Sequence, residues 1–391
     1  MSNTYLIFSA LYAPHVGGVE TYTRNLAREL TAAGGNVVIV TMNTEGVAAH
    51  QRTPEADVYR LPCAPVLGGR YPVPKTGRRF HALWKAIREK KPDFVVVNTR
   101  FYPLSLIGVQ LAVKLGIRPI VIDHGSAHLT VGNPAVDAVV QRVEHAMTNR
   151  IKRFDADYYG VSAKSVGWLR HFGIEGKGAL CNAIDAPAFR DRSSGRDFRM
   201  ELGLGDDAFL VAYTGRLAPE KGVVQLKEAA KMLEDTNVHV LMAGDGSLRG
   251  KLEGDAPANL HVLGPLPSED IAALLMGSDA YCMATRSEGF STSLLEAAAC
   301  GLTPVITDVG GVAELIPSDD FGLVLPDAEP ATIAAHLRAL EENREACKLI
   351  GGNAQRRVEA EFTWKRTAER VMAACESANA SESGPCPPTQ I

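Results

Sequence analysis

Short aliphatic runs recur along the chain, separated by stretches whose apolar positions return every three or four residues. Tyr5–Phe8, Val37–Val40, Phe94–Val97 and Ile120–Ile122 are continuous and largely β-branched, the pattern of strands buried on both faces. Between the first two, Val19, Tyr22, Leu26 and Leu30 mark one helical face that stops near Gly34 and Gly35. Phe80–Lys91 and Pro134–Ile151 predict further helices, and Asp157–Val161 and Gly178–Cys181 predict the last strands of this half. Asp185–Gly205 is polar, with Pro187 and a Ser-Gly turn, and reads as a linker. The alternation then restarts. Strands are predicted at Phe209–Tyr213, Val238–Met242, Leu260–Leu263, Asp279–Met283, Pro304–Ile306 and Gly322–Leu325. Helices are predicted to start near Gly222, Ser268, Ser291, Gly311 and Pro330, and Thr363–Ala378 is a final amphipathic one. Repeated strand–helix units imply an α/β protein of two Rossmann-like, doubly wound parallel sheets facing across a cleft. The expected division is 1–185 and 186–362, then a helix at 363–379 and a Ser/Pro-rich, disordered tail at 380–391.

Composition narrows the class without changing that picture. A chain of 391 residues favours two domains over one. The richest apolar window, Ser105–Ile122, is broken by Gln110, Lys114, Arg118 and Pro119, so no membrane span is expected. A first strand beginning near Thr4 leaves no room for a signal peptide. Seven scattered cysteines without a C-x-x-C pair fit reduced thiols in a cytoplasm. The net charge of −4 conceals an asymmetry: residues 1–190 hold 23 Lys and Arg against 14 Asp and Glu, the remainder 18 against 31. The densest basic run, Arg70 to Lys91, is either a solvated surface or an attractor for anionic lipid or a phosphorylated acceptor. No nucleic-acid-binding module is legible, and none is expected.

Four stretches carry candidate chemistry. Arg286–Gly301 runs from a predicted strand through a Glu-Gly loop into a helix, an anion-binding corner because the first N–H groups of a helix lack internal partners. Glu288 and Glu296 flank it, better suited to accept from hydroxyls than to sit on phosphate. For Glu296 the plain alternative is a capping box with Ser293, unless Ser291 or Thr292 caps the helix. Gly215–Gly222 places Arg216 and Lys221 on one strand-to-helix loop, where both can neutralise a departing diphosphate. Gly17 and Gly18 lead into the first helix, beside either a ligand or nothing more than a tight turn with Glu20 favouring the helix dipole. Asp123-His124 ends a buried strand; His124 is a hydroxyl partner or a structural histidine, and Asp123 its partner or a base. No metal-ligand spacing is present, so cations and helix ends of the protein must neutralise any phosphate.

These residues resemble the GT-B-fold retaining glycosyltransferases of family four. The resemblance runs from about Tyr5 to Cys375 and rests on E-x7-E at Glu288 and Glu296, G-R-L-x-x-E-K-G at Gly215–Gly222 and G-G-V-E at Gly17. It implies that Arg216 and Lys221 hold a donor diphosphate, Glu296 the ribose and Glu288 the transferred sugar. Gly289, Phe290, Ser291 and Thr292 would complete the donor site, with Gly17 and Gly18 beside the diphosphate and His124 at the sugar ring. The final helix, near Trp364, would cross back onto the first domain. Ser291 stands where many relatives have Gly, and the D-H-G-S loop is a variant form. The implied reaction is metal-independent transfer of a hexose-type sugar, with retention, from a UDP- or GDP-linked donor to a lipid-linked or glycan acceptor of envelope or polysaccharide synthesis. It would take place in the cytoplasm or peripherally at a membrane. A nucleotide-sugar epimerase, another GT-B enzyme and a non-catalytic sugar-nucleotide binder are the alternatives.

Overall fold

A computed structural model describes residues 2–129 and 134–380. The chain divides into two compact units, the first running to Cys181 and resuming at Trp364, the second spanning Asn182–Thr363.

Unit 1 contains strands β1 (Thr4–Ser9), β2 (Asn36–Met42), β3 (His50–Arg52), β4 (Asp57–Leu61), β5 (Cys63–Val66), β6 (Tyr71–Pro74), β7 (Phe94–Asn98), β8 (Ile120–Asp123) and β9 (Asp157–Gly160). Seven of them form one sheet in the order β3-β4-β2-β1-β7-β8-β9, parallel except for β3 on β4. Leu6, Ile7, Ile39, Val40, Val96, Val97 and Val121 are fully buried, as continuous aliphatic strands covered on both faces must be. The helix Gly18–Ala32 turns Tyr22, Leu26 and Leu30 inward. The closing helix Trp364–Ala380 joins this unit: Trp364 packs edge-on against Tyr22, ring centroids 5.6 Å apart, and Thr367 donates to the Cys181 carbonyl.

Unit 2 contains β10 (Phe209–Thr214), β11 (Val238–Ala243), β12 (Leu260–Gly264), β13 (Ala280–Met283), β14 (Thr303–Thr307) and β15 (Leu323–Leu325), ordered β12-β11-β10-β13-β14-β15 and all parallel. The chain builds outward from β10 in one direction and then returns to build outward from β13 in the other. The loops leaving β10 and β13 therefore separate at the switch point, where α/β sheets take their ligands.

Three expectations are corrected. Asp185–Gly205 is not a linker, for it forms helices Ala186–Asp191 and Phe198–Glu201 within unit 2, capped by the side chains of Asp185 and Asp197. The aspartates that made the stretch look polar are its N-caps. Gly178–Cys181 is not a strand; it contributes an isolated bridge pairing Ala179 with Gly160. Residues 50–74, for which no element was predicted, supply β3, β4 and a two-stranded ribbon of β5 and β6, whose prolines suit the unpaired edges of so short a sheet. The disorder expected for 380–391 falls, from residue 381 on, outside the described residues. Among the described residues no helix is long and apolar enough to cross a membrane, and six cysteines form no disulfide with one another.

Beside the carboxyl ends of β7 and β8 lies a buried charge network that no sequence pattern announced. Arg100 bonds both Asp123 and Glu144, all three at most 2% exposed, and its guanidinium lies 3.9 Å from the Phe172 ring centroid. One cation thus ties β8 to the helix Pro134–Ile151 and to the turn at Phe172. Removing one partner strands two buried carboxylates, so Arg100→Ala is expected to cost about 3–5 kcal/mol in chemical denaturation. A loss under about 1 kcal/mol, the value for an exposed pair, would contradict that account.

Candidate functional site

The loops after β10 and β13 are held together by main-chain contacts. The Arg286 N–H donates to the Glu220 carbonyl at 2.9 Å, and the Thr285 hydroxyl reaches the same oxygen at 3.1 Å. Gly222 turns with φ +70° and packs so closely that a Cβ would lie 2.1 Å from the Ala284 carbonyl oxygen. Only glycine satisfies both conditions. The loop after β14 closes in from the other side, where a Cβ on Gly310 would meet the Glu288 and Gly289 carbonyl oxygens at 2.3 Å. From below, Gly244 and Gly246 approach the carbonyls of Gly215 and Leu217. This Gly-Asp-Gly segment follows β11, and a Gly-x-Gly at a strand end is the sequence signal of such an approach.

On this platform Lys221 and Glu288 are joined in a salt bridge and are 15% and 18% exposed. The cation expected at phosphate and the carboxylate expected at sugar thus neutralise each other. Arg216 is two-thirds exposed, with its guanidinium 3.4 Å from Glu220. Exposed pairs of that kind contribute at most about 1 kcal/mol, so little holds the guanidinium in place. Tyr213 donates its hydroxyl to the Arg216 carbonyl at 2.8 Å, fixing the backbone there.

The helix after the Glu-Gly loop is Thr292–Ala299, and its N-cap is Ser291, whose Oγ accepts from Leu294 N at 3.2 Å. The capping box with Ser293 does not form. Glu296 instead stands in the second turn, half-buried, with no hydrogen bond or salt bridge from its carboxylate among the described residues. Burial pushes its pKa up to about 7 against the weaker opposing pull of Arg192. Ser291, 3% exposed, thus has a local role as cap, and Phe290, 7% exposed, anchors the loop against Phe362, ring centroids 5.6 Å apart. Gly289 is half-buried and Thr292 exposed at the helix start.

The remaining candidates belong to unit 1. Gly17 is the N-cap residue of its helix, and Glu20 folds back over it, 3.2 Å from His15 Nδ1. Its carboxylate oxygen lies 2.3 Å from where a Gly17 Cβ would stand, so a carboxylate of the protein itself covers that helix start. Gly18, the first helical residue, has open space around its α-carbon. His124 Nε2 lies 3.0 Å from Asn98 Oδ1, while Asn98 Nδ2 donates to Thr23 Oγ1 at 2.8 Å. Asn98 therefore presents its oxygen to the ring, which assigns the proton to Nε2 and leaves Nδ1 as an acceptor. Burial lowers the His124 pKa to about 3, and Tyr22 packs edge-on at 4.8 Å, so the ring is neutral and oriented. Asp123 is neither its partner nor an available base, being 1% exposed and bound to Arg100. The sequence could not reveal this because Arg100 lies 23 positions away.

Comparison with known proteins resolves the class. The family "Glycosyltransferase Family 4" matches residues 16–178 and "Glycosyl transferases group 1" matches residues 195–357. The chain belongs to the family 4, group 1 glycosyltransferases. An uncharacterized glycosyltransferase of Methanocaldococcus jannaschii is 26% identical over 387 residues, covering 93% of this chain and 95% of its own. The GDP-mannose-dependent monoacylated alpha-(1-6)-phosphatidylinositol monomannoside mannosyltransferase of Corynebacterium glutamicum is 25% identical over 389 residues, covering 95% and 97%. The two α/β units have the GT-B fold: the sucrose-phosphate synthase of Thermosynechococcus elongatus superposes with a TM-score of 0.74 at 19% identity, covering 97% of this chain and all of that one. The glycosyltransferase thus keeps, on its second sheet, an ion pair and an unpartnered carboxylate beside a capped helix start.

The carboxylate has a measurable consequence without any ligand. Because the folded pKa of Glu296 is raised, the native state holds a proton that the unfolded chain releases. Stability therefore falls as pH rises from the ordinary carboxyl range to about 7. A Glu296→Gln variant lacks that titration, so its melting temperature should gain on the parent's between pH 5 and pH 8 in thermal denaturation. A difference that is constant or shrinks with pH would contradict the assignment.

Proposed function

We propose that this glycosyltransferase moves a hexose-type sugar from a UDP- or GDP-linked donor to a hydroxyl acceptor, with retention of anomeric configuration and without a metal ion. The observation that carries this reading is the unpartnered Glu296 carboxylate, one helical turn behind the capped start at Ser291 and on the same platform as Lys221 and Glu288. A carboxylate in that setting accepts two hydroxyl donors, as a ribose diol offers. In this reading the helix start at Thr292, with Lys221 and Arg216, takes the diphosphate. Glu288, released from Lys221, accepts from the sugar, and Gly289 and Phe290 shape the loop around it. Gly17, Gly18 and His124 are proposed as contributions of unit 1, His124 through its neutral Nδ1 to a sugar hydroxyl.

Chemically, the demand is to stabilise negative charge as the bond to the anomeric carbon breaks. Lys221 does so best if its own counter-ion moves to the sugar as phosphate arrives. The cation is then shielded in the resting protein and available in the reacting one. No protein nucleophile is assigned; the departing phosphate oxygen takes the acceptor proton on the face it leaves. The acceptor is proposed to be lipid-linked or a glycan intermediate of envelope or polysaccharide synthesis, reached from the cytoplasmic face of a membrane. The C. glutamicum relative, named for GDP-mannose and a phosphatidylinositol mannoside, supports both the donor class and a lipid acceptor.

Lys221→Ala and Glu288→Ala are expected to keep the parent's circular dichroism and to lose at least about 100-fold in sugar transfer, as for other charge-stabilising groups. The assay supplies UDP- and GDP-hexoses with a membrane extract as acceptor. Parental rates in both variants would reject the reading, and conversion of the donor without acceptor would identify an epimerase instead.

The basic segment supports the membrane part. Arg70, Lys75, Arg78, Arg79, Lys85, Arg88 and Lys91 are exposed, and Val66, Leu67 and Val73 are exposed on or beside the β5–β6 ribbon. Lys90 is the exception, bound to Asp57 at 2.6 Å. Sedimentation with phosphatidylglycerol vesicles should capture the protein at low salt and release it at high salt. Equal capture by phosphatidylcholine vesicles at both salts would exclude an electrostatic attachment.

A further inference from the structure

Unit 1 holds a cluster that the transfer reaction does not use. His128 lies in the loop after β8, His145 in the helix Pro134–Ile151, and His171 in the short turn Arg170–Phe172. One ring nitrogen from each lies within 4.8 Å of the others, and His145 Nε2 and His171 Nε2 are 3.3 Å apart. The three ring centroids stand 5.0, 5.1 and 5.4 Å apart, a nearly equilateral arrangement. Two imidazoles at hydrogen-bond distance need no third. Convergence of three from separate segments is the geometry of a ligand set.

The surroundings supply an independent feature. His128 Nδ1 is 2.8 Å from Glu144 Oε2, and Glu144 is 2% exposed and bound through its other oxygen to Arg100. A buried carboxylate on one ring nitrogen fixes the tautomer and makes the other nitrogen a better donor, the usual support of a metal-bound histidine. Trp168 stacks on His171 at 4.6 Å and 4°, and meets His128 edge-on at 4.9 Å, limiting both rings. Bonds of about 2.0–2.1 Å to a tetrahedral ion require nitrogens roughly 3.3 Å apart. The His145–His171 pair already has that spacing.

We propose that His128, His145 and His171 bind one first-row transition-metal ion, best matched by Zn2+, with water at the open position. Imidazole nitrogens select such ions over Mg2+ or Ca2+. The site would join the loop after β8 to the helix and the turn, staples that loop four residues beyond His124, and takes no part in sugar transfer. It rests on unit 1 alone and is independent of the donor reading.

The test uses the full, untagged chain after chelator treatment, titrated with Co2+ alone and then with Zn2+. The expected result is one Co2+ per chain with the intense visible absorption of a tetrahedral site, bleached by Zn2+, and a higher melting temperature with either ion. Both signals should vanish in His145→Ala and in His171→Ala, while Cys375→Ser retains them. Absence of visible absorption in the parent protein, or absorption that survives both histidine substitutions, overturns the proposal.

Discussion

The reversal of strand order between β10 and β13 is the constraint on which the candidate site depends. Neighbouring parallel strands whose chains leave in opposite directions cannot have their carboxyl-end loops covered by the same crossover. Those two loops carry Lys221 and Glu288. Three glycine contacts, at Gly222, Gly244 and Gly310, let the backbones approach to distances that any side chain would forbid. Without them the Lys221–Glu288 pair could not form from residues 67 positions apart. The same sheet logic in unit 1 sets β1 beside β7, with the glycine loop after one and the buried Arg100 after the other.

The charges follow a common rule with different outcomes. Arg100 is enclosed by two carboxylates and holds segments together. Lys221 has one carboxylate partner, and the pair is partly exposed. Glu296 is half-buried, makes no side-chain hydrogen bond or salt bridge among the described residues, and has a raised pKa. A titratable group with a shifted pKa beside an ion pair is a candidate binding group, the basis of the proposal made for Glu296.

Legibility from sequence tracked how local each feature was. Buried parallel strands announce themselves in aliphatic runs, and helix starts at Ser268 and Pro330 followed from local residues. The role of Glu296 hung on one boundary: with Ser291 as cap the carboxylate is free of the capping box, a distinction that three adjacent hydroxyl residues kept open. Non-local features were invisible. Asp123 looked like a partner for His124, but its charge is taken by Arg100, and Asn98 orients the histidine instead. The three clustered histidines are 17 and 26 residues apart in the chain, a spacing that matches no ligand motif. Residues 185–205 misled because helix caps and linkers draw on the same polar residues.

The claim that Glu296 receives the ribose of a nucleotide donor is tested most directly by the protons that binding displaces. A carboxyl with a pKa near 7 is about half protonated at pH 7, and a diol that donates to it drives that proton off. Calorimetric titration with UDP and with GDP, at pH 7 in buffers of different ionisation enthalpy, should show release of roughly half a proton per site for the cognate nucleotide. The release should disappear in Glu296→Gln. Tight binding with no proton release, or release that persists in that variant, would contradict the assignment of this carboxylate to the donor.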